Sequence, residues 1–198
     1  MMKLRMLAPV AALSVAACGL NSVPTAEEAA KARWADVQNE YQRRADLIPN
    51  LVSTVKGYAA QEERVLTQVT EARARATAVN VSADQLSDPA AMQRFAQAQG
   101  ALSQSLGRLL VVTENYPDLK SNANFLALQA QLEGTENRIA IARRDYNGAV
   151  QAYNTRIRTF PDAIGAKIFH GAKPMATFEA TAPGAETAPT VNFEPKAG

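Results

Sequence analysis

Residues 125–160, FLALQAQLEGTENRIAIARRDYNGAVQAYNTRIRTF, decide the fold. Within them Phe125, Leu128, Leu132, Thr135, Ile139, Ala142, Tyr146, Ala149, Tyr153, Ile157 and Phe160 recur in alternating steps of three and four. A mean step of about 3.5 winds one stripe along a long α-helix and is the period of a coiled coil or helical bundle. Ser121 or Asn122 can cap its start. At about 1.5 Å per residue, a helix of about 38 residues reaches roughly 57 Å.

The same period recurs upstream. One window runs Met92, Phe95, Gln99, Leu102, Leu106, Leu109, Thr113, Tyr116, and another runs Ile48, Leu51, Val55, Tyr58, Glu62, Val65, Val69, Ala72, Ala76. A shorter one, Ala30, Trp34, Val37, Tyr41, follows Thr25-Ala26-Glu27-Glu28, which has capping-box spacing. Ser87-Asp88-Pro89 offers an N-cap followed by proline at the first helical position. Tyr116-Pro117 ends the next helix, because a residue before proline is pushed out of the α region. Pro49 can kink one long helix or break it with Asp46 as N-cap; the expectation is a break, since a helix of about 55 residues outruns its partners. The fold class expected is all-α, an elongated antiparallel four-helix bundle. The Ala, Pro, Thr and Glu of residues 180–198 bury too little surface to fold and are expected to be disordered.

The sole cysteine, Cys18, ends an apolar run that begins at Leu7 behind Lys3 and Arg5, in the string Leu13-Ser14-Val15-Ala16-Ala17-Cys18-Gly19. About 11 apolar residues fall well short of the roughly 20 that span a bilayer, so the pattern reads as a secretory signal. Small residues before the cysteine resemble a lipobox, in which the thiol receives lipid and cleavage makes Cys18 the mature N-terminus. Each buried methylene adds about 0.8 kcal/mol, so two or three acyl chains, palmitate among them, anchor stably. The bland alternative is an ordinary signal cut after Ala17. The chain is therefore expected to divide into a signal peptide at 1–17, a lipidated linker at 18–24, a helical domain at 25–179 and a tail at 180–198. Lipid on Cys18 holds it to the cell envelope, facing the periplasm. Gly19 rather than Asp after the cysteine favours the outer over the inner membrane in a diderm source.

Charge follows from the same cut. Of 21 basic side chains Lys3 and Arg5 are lost, leaving 19 against 19 acidic ones. A neutral mature chain lacks the clustered excess of Lys and Arg that nucleic acid requires. With its only thiol lipidated it also forms no disulfide, and stability rests on an apolar core.

Chemistry-bearing patterns are sparse. The only histidine, His170, stands apart from any second metal-ligand motif. Paired Glu-x-x-His motifs, Gly-x-Ser-x-Gly and phosphate-binding glycine loops do not occur, so neither catalytic residues, nor metal ligands, nor a cofactor site are assigned. The polar seam residues Glu62, Gln99, Thr113 and Thr135 could line a ligand site; the simpler expectation is that they lie at the rim or set helix register. Arginines recur at Arg43-Arg44, Arg73, Arg75, Arg143-Arg144, Arg156 and Arg158, and are expected on solvated faces. Tyr146-Asn147 and Tyr153-Asn154 repeat one heptad apart, which core packing explains and a partner-binding stripe explains as the minor alternative.

The strings QRRADLIPNLVSTVKGYAAQEERVLTQVTEARARA from Gln42, LSQSLGRLLVVTENYPDLKSNANFLALQAQLEGTENRIAIARRDYNGAVQAYNTRIRTFP from Leu102, and KIFHGAKPMATFE after them resemble the LemA family over residues 25–179. The resemblance implies an antiparallel four-helix bundle in an envelope-associated protein, with links to membrane zinc proteases and stress responses, and supplies no catalytic residues to carry over. Typical members begin with a spanning helix; this chain departs from them with its short run ending at Cys18. The expectation is thus a lipid-anchored, non-enzymatic scaffold or adaptor for another envelope protein, with a lipid- or small-molecule-binding bundle as the alternative.

Overall fold

The computed structural model describes residues 2–179, with side chains over 21–179, so the expectations for the Cys18 thiol and for residues 180–198 lie outside what it describes. The helices are α1 (Met2–Tyr58), α2 (Glu63–Ala78), α3 (Pro89–Thr113), α4 (Pro117–Lys120), α5 (Ala123–Arg156) and α6 (Asp162–Ile168), with 3₁₀ turns at Ala60–Glu62 and Ala83–Gln85. No strand occurs among the described residues, and the fold is an all-α bundle whose four long helices are α1, α2, α3 and α5.

Two helix starts follow the expected chemistry. The Asp88 carboxylate accepts the Ala90 N–H at 2.9 Å with Pro89 opening α3, and the Asn122 side chain accepts the Phe125 N–H at 3.0 Å to open α5. Each satisfies an amide that the first turn leaves without a helical partner.

Three boundaries differ from expectation. Helix α1 passes through Pro49 unbroken. Proline removes one helical bond, the one to the Ala45 carbonyl four residues back. That carbonyl accepts the Arg73 Nε–H of α2 at 2.7 Å instead, so the loss is offset from a neighbouring helix. Asp46, the expected cap, accepts from Gln42 within the helix. The break comes at Ala59–Glu62, inside a window whose apolar period runs on without interruption. Lys56 beside Gly57, then Glu62 and Glu63, carry the charge order of one helix ending and another starting. Nor does a helix begin at Thr25, whose hydroxyl donates to the Asn21 carbonyl at 2.7 Å within α1; Val23, in the stretch read as a linker, is fully buried.

Helices α1 and α5 run antiparallel, held in register by Glu40–Arg138 at 3.0 Å and Arg44–Glu136 at 2.8 Å. A rise of about 1.5 Å per residue in both then sets Ile157 roughly level with Ser22, so α6 and the segment of α1 carrying Cys18 share one end of the bundle. The core is in two parts. One gathers Trp34, Val37, Tyr41, Phe95, Ile139, Tyr146, Tyr153 and Phe178; the other gathers Ile48, Leu51, Val55, Val69, Leu102, Leu109, Phe125 and Leu132. Helix α2 covers α1 only along the second part. Along the first, residues 172–179 and the α2–α3 connection take its place, with Met175 and Phe178 inserted into the core.

Candidate functional site

Between the two parts of the core stands a charge. Counting along α1 from Trp34, Val37 and Tyr41 toward Ile48, Leu51 and Val55, the seam position in the gap is Arg44, and its side chain is 1% exposed. An arginine this deep is costly unless most of its donors are met. One terminal nitrogen donates to Ser103 Oγ at 2.7 Å and to Glu136 Oε1 at 2.8 Å; the other donates to Gln99 Oε1 at 2.7 Å and to the Gln99 carbonyl at 3.3 Å. The guanidinium carbon lies 5.0 Å from the Tyr41 ring centroid, while Nε is buried without a hydrogen-bond partner.

Gln99 joins this layer to α2. Its Nε2 donates to the Ala76 carbonyl at 3.2 Å, one of the last-turn carbonyls that a helix end leaves without an internal donor. One amide thus bridges α1, α2 and α3, while the Glu136 side chain, 46% exposed, carries the counter-charge from α5. A cleft of about 270 Å³ opens beside the layer, lined by Gln38, Tyr41, Gln42, Thr77, Asn80 and Gln99.

The four polar seam residues do not form one site. Gln99 sets register as described. Thr113 and Thr135 donate to carbonyls of their own helices, Leu110 and Gln131, which satisfies a buried hydroxyl locally. Glu62 lies at the far tip in a 3₁₀ turn, accepting the Tyr116 hydroxyl at 2.8 Å; that bond, more than burial, raises the Tyr116 pKa. A ligand site built on all four is excluded by their separation. The arginines also depart from expectation. Arg44 is buried, Arg73 is half-buried on the Ala45 carbonyl, and the half-buried Arg143 places its guanidinium carbon 4.6 Å from the Phe178 ring centroid. Arg43, Arg75, Arg144, Arg156 and Arg158 are exposed as expected.

The Tyr-Asn repeat of α5 does more than pack. Asn147 grips the backbone of Phe178 from both sides, its Nδ2 donating to the carbonyl at 3.0 Å and its Oδ1 accepting the N–H at 2.9 Å. Asn154 does the same for Met175, at 2.9 Å in each direction. Beside them the Tyr146 hydroxyl donates to the Ala176 carbonyl at 2.9 Å, and that of Tyr153 donates to the Lys173 carbonyl at 3.1 Å. Burial raises the pKa of Tyr146 well above the ordinary phenol range, and raises those of Tyr41 and Tyr153. Trp34 extends the pattern, its Nε1–H donating to the Val81 carbonyl at 2.8 Å. His170 is exposed just beyond α6, and no cluster of three metal-ligating side chains occurs among the described residues.

Comparison with known proteins joins these features to a family. Over 177 residues the chain is 27% identical to magnetosome protein MamQ 2 of Paramagnetospirillum magneticum, covering 81% of this chain and 65% of that protein. It is 25% identical to MamQ of Magnetospirillum gryphiswaldense over the same span, and 29% identical over 121 residues to protein LemA of Metamycoplasma hominis, covering 61% of this chain and 51% of that one. The chain thus spans less than two thirds of the length of these relatives. The LemA family profile matches residues 33–193, a stretch that holds the Arg44 layer and the Tyr-Asn face together, and the chain belongs to the LemA family.

Proposed function

We propose that this protein is a lipid-anchored, non-enzymatic scaffold or adaptor of the cell envelope, held by Cys18 and facing the periplasm, with its bundle presented to another envelope protein. Membership of the LemA family and similarity to the MamQ proteins support association with a membrane. The observation that carries the reading is an apolar end. Phe160, Ile164, Ile168 and Phe169 are 77%, 53%, 68% and 67% exposed around α6, too much apolar surface in one short segment for water alone. That end is the one from which α1 leads back to Cys18, and Arg158 and Lys167 stand among these side chains to meet anionic headgroups. No helix among the described residues is long and apolar enough to cross a membrane; in this reading lipid on Cys18 supplies attachment and α6 supplies contact. In a diderm cell Gly19 directs the anchor to the outer membrane, and a membrane metalloprotease is the class of partner that the family resemblance suggests.

Cys18→Ser is expected to leave the bundle folded while abolishing lipid labelling and membrane fractionation; a variant that stays firmly membrane-bound contradicts the anchor. An environment-sensitive label at position 168 should shift on vesicles, whereas one at position 126, toward the opposite tip, should not. In-cell crosslinking from the exposed Arg75 or Arg108 should trap a discrete partner, and smears alone count against the adaptor. Arg73 and Arg143, both engaged within the fold, are unsuited to that use.

A further inference from the structure

We infer that the Asn147–Asn154 face of α5 is a binding site for an extended peptide carrying an apolar side chain and, three residues on, an aromatic one, and that residues 173–179 occupy it as a tethered, exchangeable ligand. The inference deepens the adaptor reading, on which its biological use rests. The geometry comes first. Asn147 and Asn154 are one heptad apart, about 10.5 Å along a helix, and the residues they grip, Phe178 and Met175, are three apart, about 10 Å in an extended chain. The two repeats match, so each asparagine meets the N–H and C=O of one residue. Tyr153 and Tyr146, each one residue before an asparagine, reach the carbonyls of Lys173 and Ala176, each two residues before the residue that asparagine grips.

These contacts read backbone, so they tolerate many sequences. Side-chain choice enters chiefly at two positions, with Ala176 partly buried against the core between them. Met175 and Phe178 are buried, while Lys173, Pro174, Thr177 and Glu179 are exposed. The Phe178 ring sits 5.8 Å from Trp34 and 5.7 Å from Tyr146 with the Arg143 guanidinium across it, a pocket suited to an aromatic side chain. The segment is separable from what holds it. It joins α6 through Gly171, whose φ of 54° gives a turn that glycine adopts without strain, and a groove of about 670 Å³ runs beside it against α3. Its own connection to that side is the Ala176 N–H to the Leu86 carbonyl at 2.8 Å.

The test uses the full chain and a fluorescent peptide of residues 172–179. In Met175→Ala, where the tethered copy is weakened, the peptide should bind saturably. Wild type, in which the tethered copy competes, should bind at least about tenfold more weakly. Adding Asn147→Ala and Asn154→Ala to Met175→Ala, or placing Phe178→Ala in the peptide, should abolish binding. No saturable binding to either Met175→Ala or wild type overturns the inference, as does binding that survives loss of both asparagines. The measurement is made in solution, so its failure leaves the Cys18 anchor standing, and failure of the anchor leaves it unaffected.

Discussion

The two parts of the core are built on different chemistry. Toward α6, Trp34, Tyr41, Phe95, Tyr146 and Phe178 stack at centroid distances of 5.2 to 6.3 Å. Beyond Arg44 the buried core is Leu, Ile, Val and Ala with the ring of Phe125, and Tyr116 packs partly buried against its edge. The difference decides what each part can hold. Aliphatic side chains have no polar atoms, so that part packs helix on helix, where the backbone is already bonded. Trp and Tyr carry a donor at the tip of an apolar body, and asparagine carries both donor and acceptor. The aromatic part can therefore hold irregular chain, namely Val81 and residues 173–179, whose carbonyls and amides need partners. Arg44, with Gln99, marks the boundary and ties the helices of both parts together.

The largest effects should come from the aromatic part. Trp34→Ala removes a ring packed on Phe95, Tyr146 and Phe178 and the shorter of two hydrogen bonds to the Val81 carbonyl, which Gln38 Nε2 also reaches at 3.2 Å, and should cost about 4 kcal/mol in denaturant unfolding. Leu102→Ala, its aliphatic counterpart, should cost about 3 kcal/mol without loosening residues 173–179. If the two variants expose that segment to protease equally, the distinction between the parts fails. Arg44→Ala should cost about 3 kcal/mol, since it strands Gln99 and leaves a cavity between the parts, while Arg44→Met, which fills the space, should cost less.

Alkaline pH separates the parts more gently. Tyr41, Tyr146 and Tyr153 are held protonated by burial, so their folded pKa values exceed the ordinary value of about 10. Their contribution is fully present below about pH 10 and is lost as pH rises through the folded values, because the unfolded chain releases those protons first. Tyrosine absorbance and circular dichroism followed above about pH 10 should show the aromatic part loosening before the helices melt. The smallest effect concerns Pro49. Arg73→Ala should cost about 1 kcal/mol in wild type and almost nothing in Pro49→Ala, where the Ala45 carbonyl regains its helical donor; equal costs in both backgrounds would mean that Arg73 does not compensate the proline.

Much of this fold was legible in the apolar period. Met92, Phe95, Gln99, Leu102, Leu106, Leu109 and Thr113 are all buried as their spacing requires, and so are Phe125, Leu132, Ile139, Tyr146 and Tyr153. Phe160 is exposed because α5 ends at Arg156, four residues before the pattern does. What escaped is where polar groups interrupt the period. Arg44 keeps phase between Tyr41 and Ile48, and that phase was its signal; charge alone had placed it on a solvated face. Pro49 misled because its remedy, Arg73, comes from another helix, and no local rule contains a tertiary donor. The Tyr-Asn heptad was visible as a stripe. That it grips residues 173–179 could not be read from a segment without periodicity of its own.

Backbone amide hydrogen exchange on the full chain tests the central claim, that the aromatic part is a helix face holding separable chain. The amides of Met175, Ala176 and Phe178 should exchange through a local opening far faster than those of Leu102, Leu106 and Leu109, which should wait for global unfolding. Equal protection at the two sets would make residues 173–179 a fixed element of one cooperative core and contradict the account.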